Sequence, residues 1–160
     1  IELLPGVGEA IGKINESGYL AIIVSNQPVI ARGECSRAEV EREFDKIQTL
    51  LGEKGVFIDG VYYCPHHPHS GFKGEVKRLK KICRCRKPDT GMIEAAAKDF
   101  NLDVSACAII GDSDLDIKTG INAGISAVKV LTGAPEKEGD SEPSFKAKDL
   151  LSATEYILRK

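Results

Sequence analysis

The chain has 160 residues, with 22 Lys+Arg against 24 Asp+Glu, for a formal net charge of −2. Charge so close to balance provides no global field to gather DNA, RNA or an anionic membrane, so neither nucleic acid nor membrane is expected as a partner. Hydrophobic residues make up 42% and charged residues 29%, which excludes disorder for the whole chain and suits a single domain over residues 1–160.

No apolar run approaches the roughly 18–20 residues needed to span a bilayer. The opening Ile1-Glu2-Leu3-Leu4-Pro5-Gly6 lacks the basic segment and long apolar stretch of a secretion signal, so a cytoplasmic protein is expected. A Pro-Gly turn leads into a predicted helix over residues 7–17. Residues 20–24, Leu-Ala-Ile-Ile-Val, read as a strand buried on both faces. Ser36 and Glu39 have capping-box spacing, and Val40, Phe44, Ile47 and Leu51 recur on one face of the helix that follows. Residues 60–63 form a second strand candidate. Residues 90–100 predict a helix with Met92, Ile93, Ala96 and Ala97 inward. Residues 106–110 read as a third buried strand, 114–123 as a helix stopped by Gly124, and 126–131 as a fourth strand. Residues 132–145 read as loop and 147–158 as a closing helix.

Strands alternating with helices predict an α/β fold, a Rossmann-like, doubly wound, mostly parallel sheet with helices on both faces. Such a sheet usually begins with its central strand, whereas this chain begins with a turn and a helix. The sheet's first strand is therefore expected to be missing, and the domain to be N-terminally incomplete.

Ligands of such sheets bind beyond the carboxyl ends of the strands. Two apolar runs switch abruptly to polar residues: Ile-Ile-Val into Ser25-Asn26-Gln27, and Ala-Ile-Ile into Gly111-Asp112-Ser113-Asp114. A capping role for Ser25 and Asp114 is the plainer reading of each switch alone. Asp112, Asp114 and Asp116 supply oxygen ligands of the kind Mg²⁺ takes. An EF-hand loop fails, because its sixth position would be Ile117 and its twelfth Ala123. A solvated helix N-terminus suits Asp114 and Asp116 better than Asp112.

Of five cysteines, Cys64, Cys83 and Cys85 share the stretch 64–86 with His66, His67 and His69. Cys64-Pro65-His66 and Cys83-Arg84-Cys85 are two tight pairs separated by a loop, the ligand set of a closed structural Zn²⁺ site stapling residues 64–86. His67 and His69 compete with His66 for the fourth position. Arg86 and Lys87 follow at once, so the metal would set where they point. Together with Arg32 they suggest a phosphate pocket beside the Mg²⁺ carboxylates. Lys77, Arg78, Lys80 and Lys81 read as surface charge, and Cys35 and Cys107 as bystanders.

These pieces, in this order, resemble the haloacid-dehalogenase (HAD) phosphatases, in the branch of heptose 1,7-bisphosphate and histidinol-phosphate phosphatases. The resemblance runs from about residue 4 to 130. It is carried by Ser25-Asn26-Gln27 with Ile30-Ala31-Arg32-Gly33, Cys64-Pro65-His66-His67-Pro68, Cys83 to Pro88 with Gly91-Met92, and Gly111 to Asp116. It implies that Ser25 binds the transferring phosphoryl group, Lys87 neutralises the phosphate and nucleophile, and Asp112 holds Mg²⁺. Asn26, Gln27, Arg32 and Arg86 would line the substrate, with Cys64, His66, Cys83 and Cys85 as zinc ligands. The implied reaction is attack by an aspartate on phosphorus, then hydrolysis of the aspartyl-phosphate by activated water.

The family's Asp-x-Asp-Gly-Thr-like turn does not occur in this sequence, so its nucleophile is expected upstream of Ile1. Pro28-Val29 stands where many relatives have Ser-Gly, and the loop over 70–82 is longer than theirs. The variant also resembles phosphatase domains fused behind a sugar-phosphate nucleotidyltransferase. The competing readings are a catalytically silent zinc-stapled regulatory domain and a histidinol-phosphate phosphatase. Zinc-finger nucleic-acid binding fits poorly, since the chain has no Trp and no basic face.

Overall fold

The computed structural model describes residues 1–133 and 139–159. Helix α1 (Val7–Glu16) starts after Gly6, whose φ of 80° needs a residue without a Cβ, and it buries Ala10 and Ile11. Strand β1 (Ile22–Asn26) runs into a one-turn helix α2 (Val29–Arg32). Helix α3 (Arg37–Gly52) begins in the expected reciprocal cap, with Ser36 accepting from the Glu39 amide and Glu39 accepting from the Ser36 amide. Strand β2 (Gly60–Cys64), helix α4 (Gly91–Phe100), strand β3 (Ala108–Gly111) and helix α5 (Asp114–Ala123) follow. Strands β4 (Ser126–Val130) and β5 (Phe145–Ala147) and helix α6 (Leu150–Leu158) complete the order.

All strand pairs are parallel, as the alternating pattern required. They form two ladders, β1-β2 and β3-β4-β5. Helices cover both faces. On one side Ile30, Val40 and Phe44 pack on Ile23 and Val61, while Ala153 of α6 packs with Val128 and Val130. On the other, Ile117 of α5 packs with Ile109 and Ala127, joined by Val24 of β1 and Ile93 of α4. Val24 thus ties the two ladders through side chains, although β1 and β3 share no ladder hydrogen bonds among the described residues.

Several expectations need correcting. The first strand starts at Ile22 and reaches Asn26, and its five residues are all half-buried rather than buried on both faces. The strand read over 106–110 begins only at Ala108, because Asp103 accepts from the Ser105 amide and closes a 3₁₀ turn over Val104–Ala106. Of its four residues only Ile109 is buried. The physical reason for both exposures is the same: among the described residues β1 and β3 each pair on one edge only, so the other edge of each stays open. Phe145–Ala147, read as the end of a loop and the start of a helix, pairs with Val128–Val130 as a strand. Of the predicted loop over 132–145, residues 134–138 lie outside the described residues. No helix among the described residues is long and apolar enough to cross a membrane.

Candidate active site

At the carboxyl end of β1, Asn26 clamps the backbone of Lys87: its Oδ1 accepts from the Lys87 amide at 2.9 Å and its Nδ2 donates to the Lys87 carbonyl at 3.1 Å. Asn122 Nδ2 donates to the Pro88 carbonyl at 3.0 Å. The Lys87 side chain is thereby aimed between the two ladders. Its ammonium donates to the Val24 carbonyl on the open edge of β1 at 3.1 Å and to Asp116 Oδ1 of α5 at 2.5 Å. This ion pair is buried, with side-chain exposures of 13% and 8%. Gln27 Nε2 donates to Ser25 Oγ at 3.1 Å, and the Gln27 amide donates to the Cys64 carbonyl at 2.8 Å. Ser25, Asn26, Gln27 and Lys87 therefore meet at one rim, tied by backbone to the end of β2.

The three carboxylates after β3 part company. Asp114 pairs with Lys118 at 2.7 Å and accepts from the Ser141 amide, contacts that hold its carboxyl down to about 2. Asp116 accepts from the Ser113 amide and hydroxyl through Oδ2 while Oδ1 holds Lys87. It is buried, so the reading of Asp116 as part of a solvated helix end is wrong; the Lys87 charge accounts for its burial. Asp112 takes no hydrogen bond or ion pair from any described residue. It lies against Gly133, where a Cβ would collide with its carboxylate. Two of the three groups are thus committed to protein cations, and Asp112 is left half-buried with its oxygens unengaged, a donor set that fits a Mg²⁺ completing its shell with water and phosphate.

Cys64 Sγ, His66 Nδ1, Cys83 Sγ and Cys85 Sγ lie within 4.8 Å of one another. Their contacts run from 3.1 to 3.5 Å. A tetrahedral zinc with sulfur at about 2.3 Å has ligand edges of about 3.8 Å, so the cluster fits that ion with a small expansion. All cysteines are free, and sulfurs at these spacings are unbonded. Burial pushes the Cys64 thiol up, and its hydrogen bond with Cys85 adds to it. Burial also raises Cys83, but hydrogen bonds from Cys85 and Cys64 outweigh it and hold that thiol below its ordinary value. Burial, then the charges of Lys81 and Arg37, lowers His66 and keeps the neutral, ligating imidazole. His67 and His69 stand outside the cluster: His67 Nδ1 contacts the His69 backbone and lies 3.4 Å from Lys80 Nζ.

Arg86 NH1 donates to the His66 carbonyl at 3.2 Å, so it borders the start of the Cys/His loop. Arg32 ends α2 and engages Glu34 along one edge of its guanidinium, Nε at 2.6 Å from Oε1 and NH2 at 3.0 Å from Oε2. The loop tip folds back on α2 through the Val76 amide to the Ala31 carbonyl at 2.9 Å. Gly33 and Gly74 touch backbone to backbone there, and a Cβ at Gly33 would strike the Gly74 carbonyl. Lys80, expected as surface charge, is 7% exposed in its side chain and pairs with Glu75 at 3.6 Å. The Phe72 amide, then the Gly71 amide and Lys80, holds the Glu75 carboxyl below its usual range. Cys35 packs beside Ile30 and Val40, and Cys107 precedes β3 with its thiol on the Asp103 carbonyl.

Sequence reasoning named Asp116 only among three Mg²⁺-type carboxylates or as part of a helix N-terminus, and missed its pairing with Lys87. The signal available was its position at N3 after Ser113, which gives no sign of that pairing. It also missed Asn122 and the packing of Phe72 against Arg32, Lys80 and His67.

A family model described as "HAD-hyrolase-like" matches residues 84–153. The D-glycero-beta-D-manno-heptose-1,7-bisphosphate 7-phosphatase of Escherichia coli (strain K12) is 34% identical over 135 residues, 84% of this chain and 69% of that protein. The Haemophilus ducreyi protein of the same name is 35% identical over 159 residues, 98% of this chain and 85% of its own length. The solved D,D-heptose 1,7-bisphosphate phosphatase of B. bronchiseptica, complexed with magnesium and phosphate, superposes with a TM-score of 0.81 at 29% identity, covering 98% of this chain and 83% of that one. Identity sustained over such shares of both chains makes this protein a member of the HAD superfamily and, within it, of the heptose-1,7-bisphosphate phosphatase family.

Proposed function

We propose that the protein is a cytoplasmic, Mg²⁺-dependent phosphatase hydrolysing a phosphate monoester of a small metabolite, a heptose bisphosphate. The observation that carries this reading is Lys87. An ammonium has three donors; Val24 and Asp116 take two, which leaves one for a phosphoryl oxygen. Ser25 Oγ already accepts from Gln27, so its own proton is free to donate to a phosphoryl oxygen. Asn26 keeps Lys87 in register with Ser25. Arg32 and Arg86 offer their remaining guanidinium donors to the rest of the substrate. Mg²⁺ bound through Asp112 offsets the charge on the phosphoryl oxygens.

Zinc held by Cys64, His66, Cys83 and Cys85 fastens the loop 64–86. The four protein ligands close its shell, so its role is structural. The family's nucleophilic aspartate turn has no counterpart among the 160 residues. The described elements are read as parts of one HAD-like domain. The names of the relatives, and the magnesium and phosphate in the B. bronchiseptica structure, support the substrate and the ion.

The test is phosphate release by the whole gene product with Mg²⁺, from heptose 1,7-bisphosphate, histidinol phosphate and 4-nitrophenyl phosphate. The bisphosphate is expected to show the highest kcat/KM. A preference for histidinol phosphate would overturn the substrate. No turnover of any of the three would leave a silent zinc-stapled domain, such as one fused to a nucleotidyltransferase. The Asp112→Asn protein should lose Mg²⁺ binding in calorimetry while keeping its melting temperature, because no described group depends on that carboxylate. Unchanged Mg²⁺ affinity would remove Asp112 from the site.

A further inference from the structure

The loop over 70–82 brings an aromatic ring to Arg32, read above as lining the substrate. Phe72 is partly exposed, and two cations sit over its ring: Lys80 Nζ at 4.6 Å from the centroid and the Arg32 guanidinium at 5.8 Å. The edge of His67 meets the same ring, with centroids 5.2 Å apart and planes at 86°. The backbone that carries the ring is anchored. Glu75 accepts from the Gly71 and Phe72 amides at 2.9 and 3.2 Å and pairs with the buried Lys80. The Val76 amide then fastens the whole turn to the Ala31 carbonyl, one residue before Arg32. Arg32 itself has a long, flexible stem, and Glu34 constrains only one edge of its fork.

We propose that Phe72 is a positioning residue for Arg32, holding the guanidinium where it meets the non-reacting, anionic end of the substrate. The inference rests on the reading above that Arg32 lines the substrate. The cation–π contact restricts the guanidinium to the space above the ring, so fewer conformations are lost when an anion binds. Because the reacting phosphate is held at Ser25 and Lys87 instead, the effect is confined to ligands long enough to reach Arg32.

Steady-state kinetics of the whole gene product test this with heptose 1,7-bisphosphate and the short ester 4-nitrophenyl phosphate. Phe72→Leu keeps the apolar volume without a ring face and is expected to raise the bisphosphate KM between about three- and thirtyfold. Its kcat should stay within about twofold, as should both constants for the short ester. Phe72→Tyr should restore the wild-type KM, and Phe72→Leu added to Arg32→Ala should cost nothing further. An unchanged bisphosphate KM in Phe72→Leu, beside a raised one in Arg32→Ala, would overturn the proposal alone. An unchanged KM in Arg32→Ala would overturn it together with the placement of Arg32. Equal losses for both substrates in Phe72→Leu would reduce Phe72 to a structural role and overturn the proposal too.

Discussion

The Asp116→Asn protein is expected to melt roughly 10 °C below the wild type and to lose most of its activity. The substitution is nearly isosteric, so the cost is electrostatic. It leaves the Lys87 ammonium buried without its carboxylate countercharge. Removing one partner of a buried ion pair typically costs about 3–5 kcal/mol, because the remaining charge stays desolvated. For a domain of this size each kcal/mol shifts the midpoint by about 2–4 °C. Lys87→Met in the same background removes the stranded charge and should recover part of the loss. It should not recover turnover, since losing a preorganised cation at a transferring phosphoryl group costs about 10²–10³ in kcat. Thermal melts of the two single variants and the double variant decide the matter. A single Asp116→Asn midpoint within about 2 °C of wild type would mean that the pair does not hold the two ladders together.

Zinc removal is expected to produce the second large effect, and a local one. Structural zinc binding is worth about 10–16 kcal/mol in small peptides, where it is folding energy outright. Here the four Cys/His ligand residues bracket the stretch between β2 and α4, in which the described secondary structure is one 3₁₀ turn at Lys77–Leu79. Cys83→Ser, or a strong chelator, should therefore expose Lys73, Lys77, Arg78 and Arg84 to trypsin at least about tenfold faster. Phosphatase activity should fall with it, because the Arg86 guanidinium rests on the His66 carbonyl and the Gln27 amide on the Cys64 carbonyl. Metal analysis of the purified protein should find one zinc per chain, and fewer in Cys83→Ser. Absence of zinc from the wild type, with trypsin cleavage indifferent to chelator, would contradict the assignment.

The two expected effects differ in how far each was legible beforehand. The Cys/His cluster is written as two pairs with one intervening residue each, so half of the ligand geometry is local. What remained was the choice among His66, His67 and His69, and the structure brings His66 to the sulfurs while His67 turns to Lys80 and Phe72. The Lys87–Asp116 pair has no such local record. Lys87 reads as one cation beside Arg86, and Asp116 as one of three carboxylates at a helix N-terminus. Their partnership spans 29 residues, and the Lys87 contact with Val24 spans 63. Lys80 was misjudged for the same reason, since a lysine in a polar loop looks solvated until Glu75 and Phe72 fold around it.

Periodicity and capping by themselves determined the helices at 7–16, 37–52, 91–100 and 114–123 and the parallel, alternating architecture, because apolar spacing and the Ser36–Glu39 box act within a few residues. They also placed the polar rim after β1 and β3. Strand limits, the strand at Phe145–Ala147 and the half-exposure of β1 and β3 were decided only by which edges found a neighbour. The site was decided the same way. Asn26, Lys87 and Asp116 come from a strand end, a loop and a helix, and a buried charge is tolerated only where the fold delivers its partner across that distance.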